Sequence, residues 1–121
     1  MSAGPADRVP AARLDAAVAA LRRRPISACD KGFGCIAPVT AEDLGSRRPG
    51  LFGGAFTMPL AVLRETALRP NIEEMAGYCA AAGVDLAPHG KTTMAPQLFA
   101  RQLGAGAWAV TAATVGHVQA Y

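Results

Sequence analysis

The chain has 121 residues, which is sufficient for one domain with a modest core. Hydrophobic residues make up 51% of it and charged residues 17%, a balance that is typical of a folding chain and excludes a disordered one. The formal net charge is +3, but the basic clusters at positions 22–24 and 47–48 are not interleaved with aromatic side chains. Nucleic-acid binding is therefore not expected.

The cysteines and the apolar runs indicate a compartment. Cys29, Cys35 and Cys79 match neither the spacing of a zinc site nor that of a redox motif, so we expect free thiols in a reducing environment. Arg13 and Asp15 interrupt the N-terminal apolar stretch, which is therefore unlike a secretory signal, and no run of about 18 apolar residues predicts a membrane span. These features predict a cytoplasmic protein with no membrane partner.

The first 55 residues are predicted to form a helix and an irregular arm. Residues 1–10 are small, polar and proline-containing, and we expect no regular structure there. Residues 25–54 are dense in glycine, proline and serine, and at most a turn is expected, at 40–44. Between these stretches a short amphipathic helix is predicted, with an arginine-rich end that suits the helix dipole. Its apolar positions are Leu14, Ala17, Val18 and Leu21.

A regular pattern begins at Phe56. The apolar run at 56–63 predicts a strand, which Pro59 restricts to a sheet edge or a strand start. A helix is predicted to follow, with Pro70 in its first turn and Gly83 at its end. Its apolar face consists of Leu68, Ile72, Met75, Ala76 and Cys79.

The pattern then repeats. Residues 84–87 predict a strand, residues 96–104 a helix, and residues 106–113 a buried strand. Thr114 can cap a further helix from Val115 onward. Leu98, Phe99 and Leu103 are expected to face inward. The alternation predicts an α/β fold with a parallel sheet.

Lys91 is the residue of this sequence that is best suited to covalent chemistry. Only two lysines, Lys31 and Lys91, occur among twelve basic residues, and Lys91 directly follows a predicted strand. Ligands of parallel α/β folds bind at the carboxyl ends of strands, where desolvation favours a neutral amine that can condense with an aldehyde. In an extended backbone His89 would point to the same side as Lys91. The alternative is an exposed turn, with His89 bonded to the backbone and Lys91 in water.

Three ordered segments carry a family resemblance. Residues 60–75 (LAVLRETALRPNIEEM), 87–96 (APHGKTTMAP) and 102–114 (QLGAGAWAVTAAT) resemble the alanine-racemase-like pyridoxal-phosphate (PLP) enzymes. Within these, the chain is most similar to the amino acid deaminase, D-serine dehydratase and D-threonine aldolase group. The resemblance covers residues 56–121, which it identifies as the N-terminal part of a PLP-binding barrel.

The resemblance implies a fold, a cofactor and a site. The fold would be the start of a TIM-type (β/α)₈ barrel with parallel strands, incomplete here because a whole barrel takes about 250 residues. PLP would be held as a covalent imine on Lys91, which matches the family's cofactor lysine. His89 and Thr93 match motif positions near the cofactor, and Thr114 is a weaker candidate for the same pocket. For these three, a turn or capping role is an equally good interpretation.

The implied function is a PLP-dependent lyase or deaminase acting on D-amino acids or β-hydroxy amino acids. Its partner would be a small amino acid substrate, and a full-length form would be a homodimer. The His and Cys ligands for the divalent metal that some members use would lie downstream, so no metal site is expected in this chain. Two alternatives remain open: a non-catalytic PLP-binding protein, and an inactive, truncated remnant that associates through uncovered apolar faces.

Overall fold

The computed structural model describes residues 11–34 and 37–121. The stretch at 1–10, for which no regular structure is predicted, and Cys35, predicted to be a free thiol, lie outside the described residues. The chain forms two compact units. One comprises residues 16–62, and the other contains residues 63–121 together with residues 11–15. None of the helices in the described ranges is both long and apolar enough to cross a membrane.

The predicted N-terminal helix is confirmed as α1 (Ala11–Arg23), with two arginines in its last turn, where cations complement the dipole. The prediction of an irregular arm at 25–54 is wrong in part. Strand β1 (Pro25–Ile26) pairs antiparallel with β2 (Val39–Thr40), and helix α2 (Ala41–Arg47) follows. Both strands are only two residues long, so they leave no periodic signal in the sequence.

Helix α2 begins at a capping pattern that is visible in the sequence. The Thr40 hydroxyl oxygen accepts a hydrogen bond from the Asp43 backbone N–H at 3.0 Å, and the hydroxyl donates to the Asp43 carboxylate at 2.7 Å. Glu42 and Asp43 place negative charge in the first turn, where the helix dipole favours it. A Thr-x-x-Asp pattern of this kind starts a helix. The turn predicted at 40–44 is therefore the beginning of α2.

The strand predicted at 56–63 does not form. Phe56 makes a single antiparallel bridge to Phe33, and the two aromatic rings lie 5.7 Å apart. The ladder does not continue, since Pro59 has no N–H to donate. The apolar run is therefore an extended connection that touches its neighbour at one residue.

Helix α3 (Glu65–Ala82) confirms the long helix of the second half. Four of its five predicted inward residues are half-buried, whereas Met75 is 49% exposed. Pro70 does not lie in the first turn, as predicted, but inside the helix. The helix begins earlier than expected, at Glu65, and Pro70 cannot supply the N–H that would bond to the Thr66 carbonyl. Gly83 ends the helix in the left-handed conformation, with φ of 65°.

The two glycines of this region are expected to respond in opposite directions to alanine. Gly83→Ala should destabilise the chain by about 1 kcal/mol, because a Cβ disfavours the left-handed conformation. Gly77→Ala should stabilise it by roughly 0.5–1 kcal/mol, because Gly77 lies inside α3 with open space around its Cα. Urea unfolding followed by circular dichroism measures both changes. Shifts of the same sign would contradict this account of the helix end.

Helix α4 (Pro96–Gly104) has the predicted bounds, with proline in its first turn. Phe99 is 4% exposed, and Leu98 and Leu103 are half-buried, as the apolar spacing predicts. Only Ala107 and, in the other unit, Val39 approach the burial of Phe99 among the hydrophobic side chains of the described ranges. The α4 face with Phe99 is therefore the centre of the core in this unit.

Two extended segments on either side of α4 run parallel to each other. The Trp108 N–H donates to the Leu86 carbonyl, and the Thr111 N–H donates to the Pro88 carbonyl, both at 2.8 Å. The Gly90 N–H returns a bond to the Thr111 carbonyl at 3.0 Å. The register shifts by one residue between the first two bonds, which is typical of a bulge. The pairing makes residues 84–111 a short segment–helix–segment unit with a parallel connection.

Neither segment forms the regular strand predicted for it. The only bridge between them in the described chain joins His89 to Thr111, and no ladder extends from it. Trp108, predicted to lie in a buried strand, is 47% exposed, whereas its neighbour Ala107 is buried. Helix α5 (Val115–Ala120) follows with Thr114 as its N-cap, as predicted: the Thr114 hydroxyl accepts the His117 N–H at 3.2 Å.

An ion pair joins the start of α3 to α4. The Arg101 guanidinium donates to the Glu65 carboxylate at 2.7 Å, and this hydrogen bond lowers the pKa of Glu65 below its ordinary value. The positive charge of Arg69 also lowers the pKa of Glu65, but more weakly, and partial desolvation of the carboxyl raises it. Because the pKa is lowered on folding, the pair stabilises the fold above the carboxyl's unfolded pKa and loses this effect as the pH falls through the lowered pKa.

We expect Arg101→Gln to raise the pKa of Glu65 towards its ordinary value, because it removes the charged hydrogen-bond donor. An NMR titration of the Glu65 side chain measures this pKa directly. Arg69→Gln is the control and should raise it less. A larger effect of Arg69→Gln than of Arg101→Gln would contradict the observed pairing.

Candidate functional site

Lys91 lies in a tight turn at the carboxyl end of the first parallel segment. The turn is a single 3₁₀ helix, Gly90–Thr92, and it begins immediately after the bridge between His89 and Thr111. The carboxyl ends of parallel segments are where α/β proteins bind ligands. The backbone therefore places the Lys91 amine at the edge of the segment pair that is suited to a ligand.

His89 fixes the turn. Its ring atom Nδ1 accepts a hydrogen bond from the Lys91 backbone N–H at 3.2 Å. Nδ1 is therefore unprotonated in this arrangement, and a proton on the neutral ring belongs on Nε2. The predicted same-side orientation of His89 and Lys91 assumed an extended backbone. That assumption is wrong, because the chain turns at Gly90.

Thr93 closes the turn on the other side. Its backbone N–H donates to the Gly90 carbonyl at 3.3 Å, and the Met94 N–H donates to the same oxygen at 2.9 Å. Met94 has a φ of 47°, in the left-handed region that non-glycine residues rarely adopt. Strain of this kind costs about 1–3 kcal/mol and clusters at ligand sites. No sequence signal pointed to Met94.

The Lys91 side chain is exposed. Within the described residues none of the ion pairs involves it. The shielding expected for a lysine in a pocket is therefore not observed, and the arrangement matches the alternative of an exposed turn with His89 bonded to the backbone. Thr114, the weaker candidate, uses its hydroxyl to cap α5. The structure thus brings together His89, Lys91 and Thr93 through the turn that they share.

An aromatic group that the sequence pattern did not predict packs against this turn. Gly90 is buried, and a Cβ built on it would lie 2.6 Å from Tyr121 Cζ and 2.8 Å from Tyr121 Oη. The Tyr121 ring meets Phe99 edge-to-face with centroids 5.0 Å apart, and stacks on His117 at 5.9 Å. Tyr121 Oη and His117 Nδ1 are both buried without a hydrogen-bond partner among the described residues. In the sequence, the only feature that indicates this close approach is the glycine of the Pro-His-Gly-Lys run.

A separate groove of about 470 Å³ lies at the other end of the first segment. The apolar face of α3 lines it, together with residues 84–86 and 105–107, and no residue of the Lys91 turn takes part. It is open to solvent, and Asn71, Asp85 and Gln102 add polar side chains to its lining. Across the described ranges there is no group of three or more His, Cys, Asp or Glu side chains that could hold a metal ion. The Lys91 turn is therefore the best candidate for chemistry.

Comparisons with known proteins give no assignment: no family model matches the chain, and no curated protein matches it significantly.

Proposed function

We propose that the chain binds pyridoxal 5'-phosphate through Lys91 and belongs to a PLP-dependent lyase or deaminase that acts on D-amino acids or β-hydroxy amino acids. One observation carries the proposal: the Lys91 turn follows the carboxyl end of one of two parallel segments. The start of a (β/α)₈ barrel is proposed with it, because such a barrel places its ligand at this edge of the sheet.

The residues of the turn fit this cofactor. The aldehyde of PLP condenses with a primary amine, and Lys91 offers an exposed amine outside the ion pairs of the described residues. Arginine could not serve, because its guanidinium stays protonated. When bound, PLP withdraws electrons from a substrate amino acid and so assists the loss of a group at Cα or Cβ.

The chain's own residues would hold and orient the reacting groups. The bond from the Lys91 N–H to His89 Nδ1, together with the two N–H groups that converge on the Gly90 carbonyl, fixes the backbone from which the Lys91 side chain projects. Fixed geometry at the anchor lowers the entropic cost of reaction. Lys91 Nζ would also be the group that accepts a proton from the substrate Cα.

Borohydride trapping tests the proposal. The chain is incubated with PLP, reduced, digested and mapped by mass spectrometry. We expect one saturable adduct on the peptide that contains Lys91, with little on the peptide that contains Lys31, because only Lys91 follows the carboxyl end of a parallel segment. Lys31 is the matched control, since these are the only two lysines in the chain. Equal, unsaturable labelling of both lysines would contradict the proposal.

The exposure of Lys91 favours a second candidate, a non-catalytic PLP-binding protein. A lysine in water can hold an aldehyde but lacks the dry surroundings that strengthen catalytic electrostatics. The two candidates differ in turnover. Release of ammonia from D-serine, or of an aldehyde from D-threonine, by the PLP-loaded chain would support the enzyme, and attachment at Lys91 without turnover would support the carrier.

A further inference from the structure

We infer that His89 is a positioning residue that holds the Lys91 turn only while its ring is neutral, so that protonation of His89 releases the Lys91 backbone. The first N–H groups of a helix have no partner inside it. At this turn the Gly90 N–H donates to the Thr111 carbonyl at 3.0 Å, and the Lys91 N–H donates to His89 Nδ1 at 3.2 Å. The consequence for the cofactor rests on the proposed function, whereas the release itself does not.

A proton and the Lys91 N–H compete for the same lone pair on His89. A neutral imidazole has one unprotonated nitrogen that can accept a hydrogen bond, whereas the cation is a donor at both nitrogens. When Nδ1 gains a proton, it faces the Lys91 N–H as a second donor, and the bond is lost. Histidine is the side chain whose charge changes nearest to neutral pH. His89 is exposed, so solvent protons reach it.

The groups around the turn do not keep the ring in one charge state. Thr111, which bridges to His89, carries no charge. The titratable side chains that meet the turn are Lys91 within it and Tyr121, whose ring packs against the intervening glycine and stacks on His117. The ion pairs of the described residues do not involve His89, and the sequence from 86 to 121 has no aspartate or glutamate. The pH of the solution therefore sets the charge of the ring.

Only the Lys91 end of the turn responds to this proton. The Met94 N–H donates to the Gly90 carbonyl at 2.9 Å, and neither of these groups titrates. The bond at Met94 should therefore persist when His89 is protonated, which makes it an internal control. One hydrogen bond of this kind changes an equilibrium constant about two- to tenfold. Release of the Lys91 backbone should weaken imine formation by a similar factor, because the anchor loses its fixed geometry.

Amide hydrogen exchange tests the release on the whole chain without PLP. Each exchange rate, measured by NMR, is compared with that of an unstructured peptide at the same pH. We expect the Lys91 amide to be protected about two- to tenfold at about pH 8 and unprotected at about pH 5, whereas the Met94 amide keeps its protection. Circular dichroism at both pH values checks that the chain stays folded.

His89→Asn is the matched variant. The asparagine side-chain oxygen accepts a hydrogen bond from the backbone N–H two residues on, as Nδ1 does here, but it does not titrate. The Lys91 amide of His89→Asn should therefore stay protected at both pH values. His89→Phe offers no acceptor, and its Lys91 amide should be unprotected at both.

The absorbance of the imine measures the consequence for PLP. Protonation of the Lys91 amine lowers imine formation at acidic pH in every variant, so only the comparison between variants reports on His89. The parent and His89→Asn should bind PLP equally at about pH 8, and the parent should bind about two- to tenfold more weakly than His89→Asn at about pH 5.

Three results would overturn the inference. The first is a Lys91 amide of the parent whose protection is the same at both pH values. The second is a His89→Asn variant whose Lys91 amide loses protection at acidic pH, because another group would then titrate. The third is equal PLP binding by the parent and His89→Asn at acidic pH. If the Lys91 amide follows His89 but borohydride labels both lysines alike, the turn responds as inferred and the proposed function fails.

Discussion

Lys91→Arg is expected to abolish the visible absorbance that develops when PLP is added to the chain, leaving the spectrum of free PLP. Arginine keeps the positive charge and most of the length of lysine, so the turn at Gly90–Thr92 should be retained. It supplies no amine that can become neutral and attack the aldehyde. The effect should therefore be complete rather than partial.

Lys31→Arg is the control for this experiment. Lys31 is exposed like Lys91 but lies in the other unit of the chain, near the single bridge between Phe33 and Phe56. It should give the absorbance change of the parent at every PLP concentration. If Lys91→Arg still develops the absorbance of the parent, or if Lys31→Arg loses it, another amine holds PLP. The proposed function then loses its basis.

The long helices were predictable because their signals are local. Helix α3 shows its apolar face at a period of 3.6 residues and ends at a glycine, and α4 starts at a proline. The short β1–β2 pair and the single bridge at Phe56 were not predictable. They depend on contacts between residues far apart in the sequence, and two-residue strands have no period to detect. Whether the parallel segments continue into a barrel stays a prediction.

The candidate site was predictable only in part, for a similar reason. The Pro-His-Gly-Lys run and its place after an extended segment drew attention to Lys91, and the structure puts that residue in a turn at the expected edge. The predicted side-chain directions of His89 and Lys91 were wrong, because a 3₁₀ turn does not keep the alternation of side chains that an extended backbone gives. Tyr121 carries no motif, and its contact with Gly90 arises from tertiary packing in which its ring also meets Phe99 of α4.

Phe99→Ala is expected to remove the cooperative unfolding of the unit that contains residues 63–121. Phe99 is 4% exposed and is the centre of the core formed by α4, its neighbour Ala107 and the Tyr121 ring. Truncating a buried phenylalanine costs about 3–5 kcal/mol. A whole domain is typically stable by about 5–15 kcal/mol, and a chain with so few buried hydrophobic side chains among its described residues should lie at the low end of that range.

Two probes measure the loss. Circular dichroism follows the helices during urea unfolding, and fluorescence follows Trp108, the only tryptophan, which lies next to Ala107. Leu103→Ala on the same helix is the control; because Leu103 is half-buried, it should lower the unfolding midpoint but keep a cooperative transition. If Phe99→Ala unfolds with the midpoint of the parent, the core does not depend on Phe99, and the packing that places Tyr121 beside Gly90 loses its support.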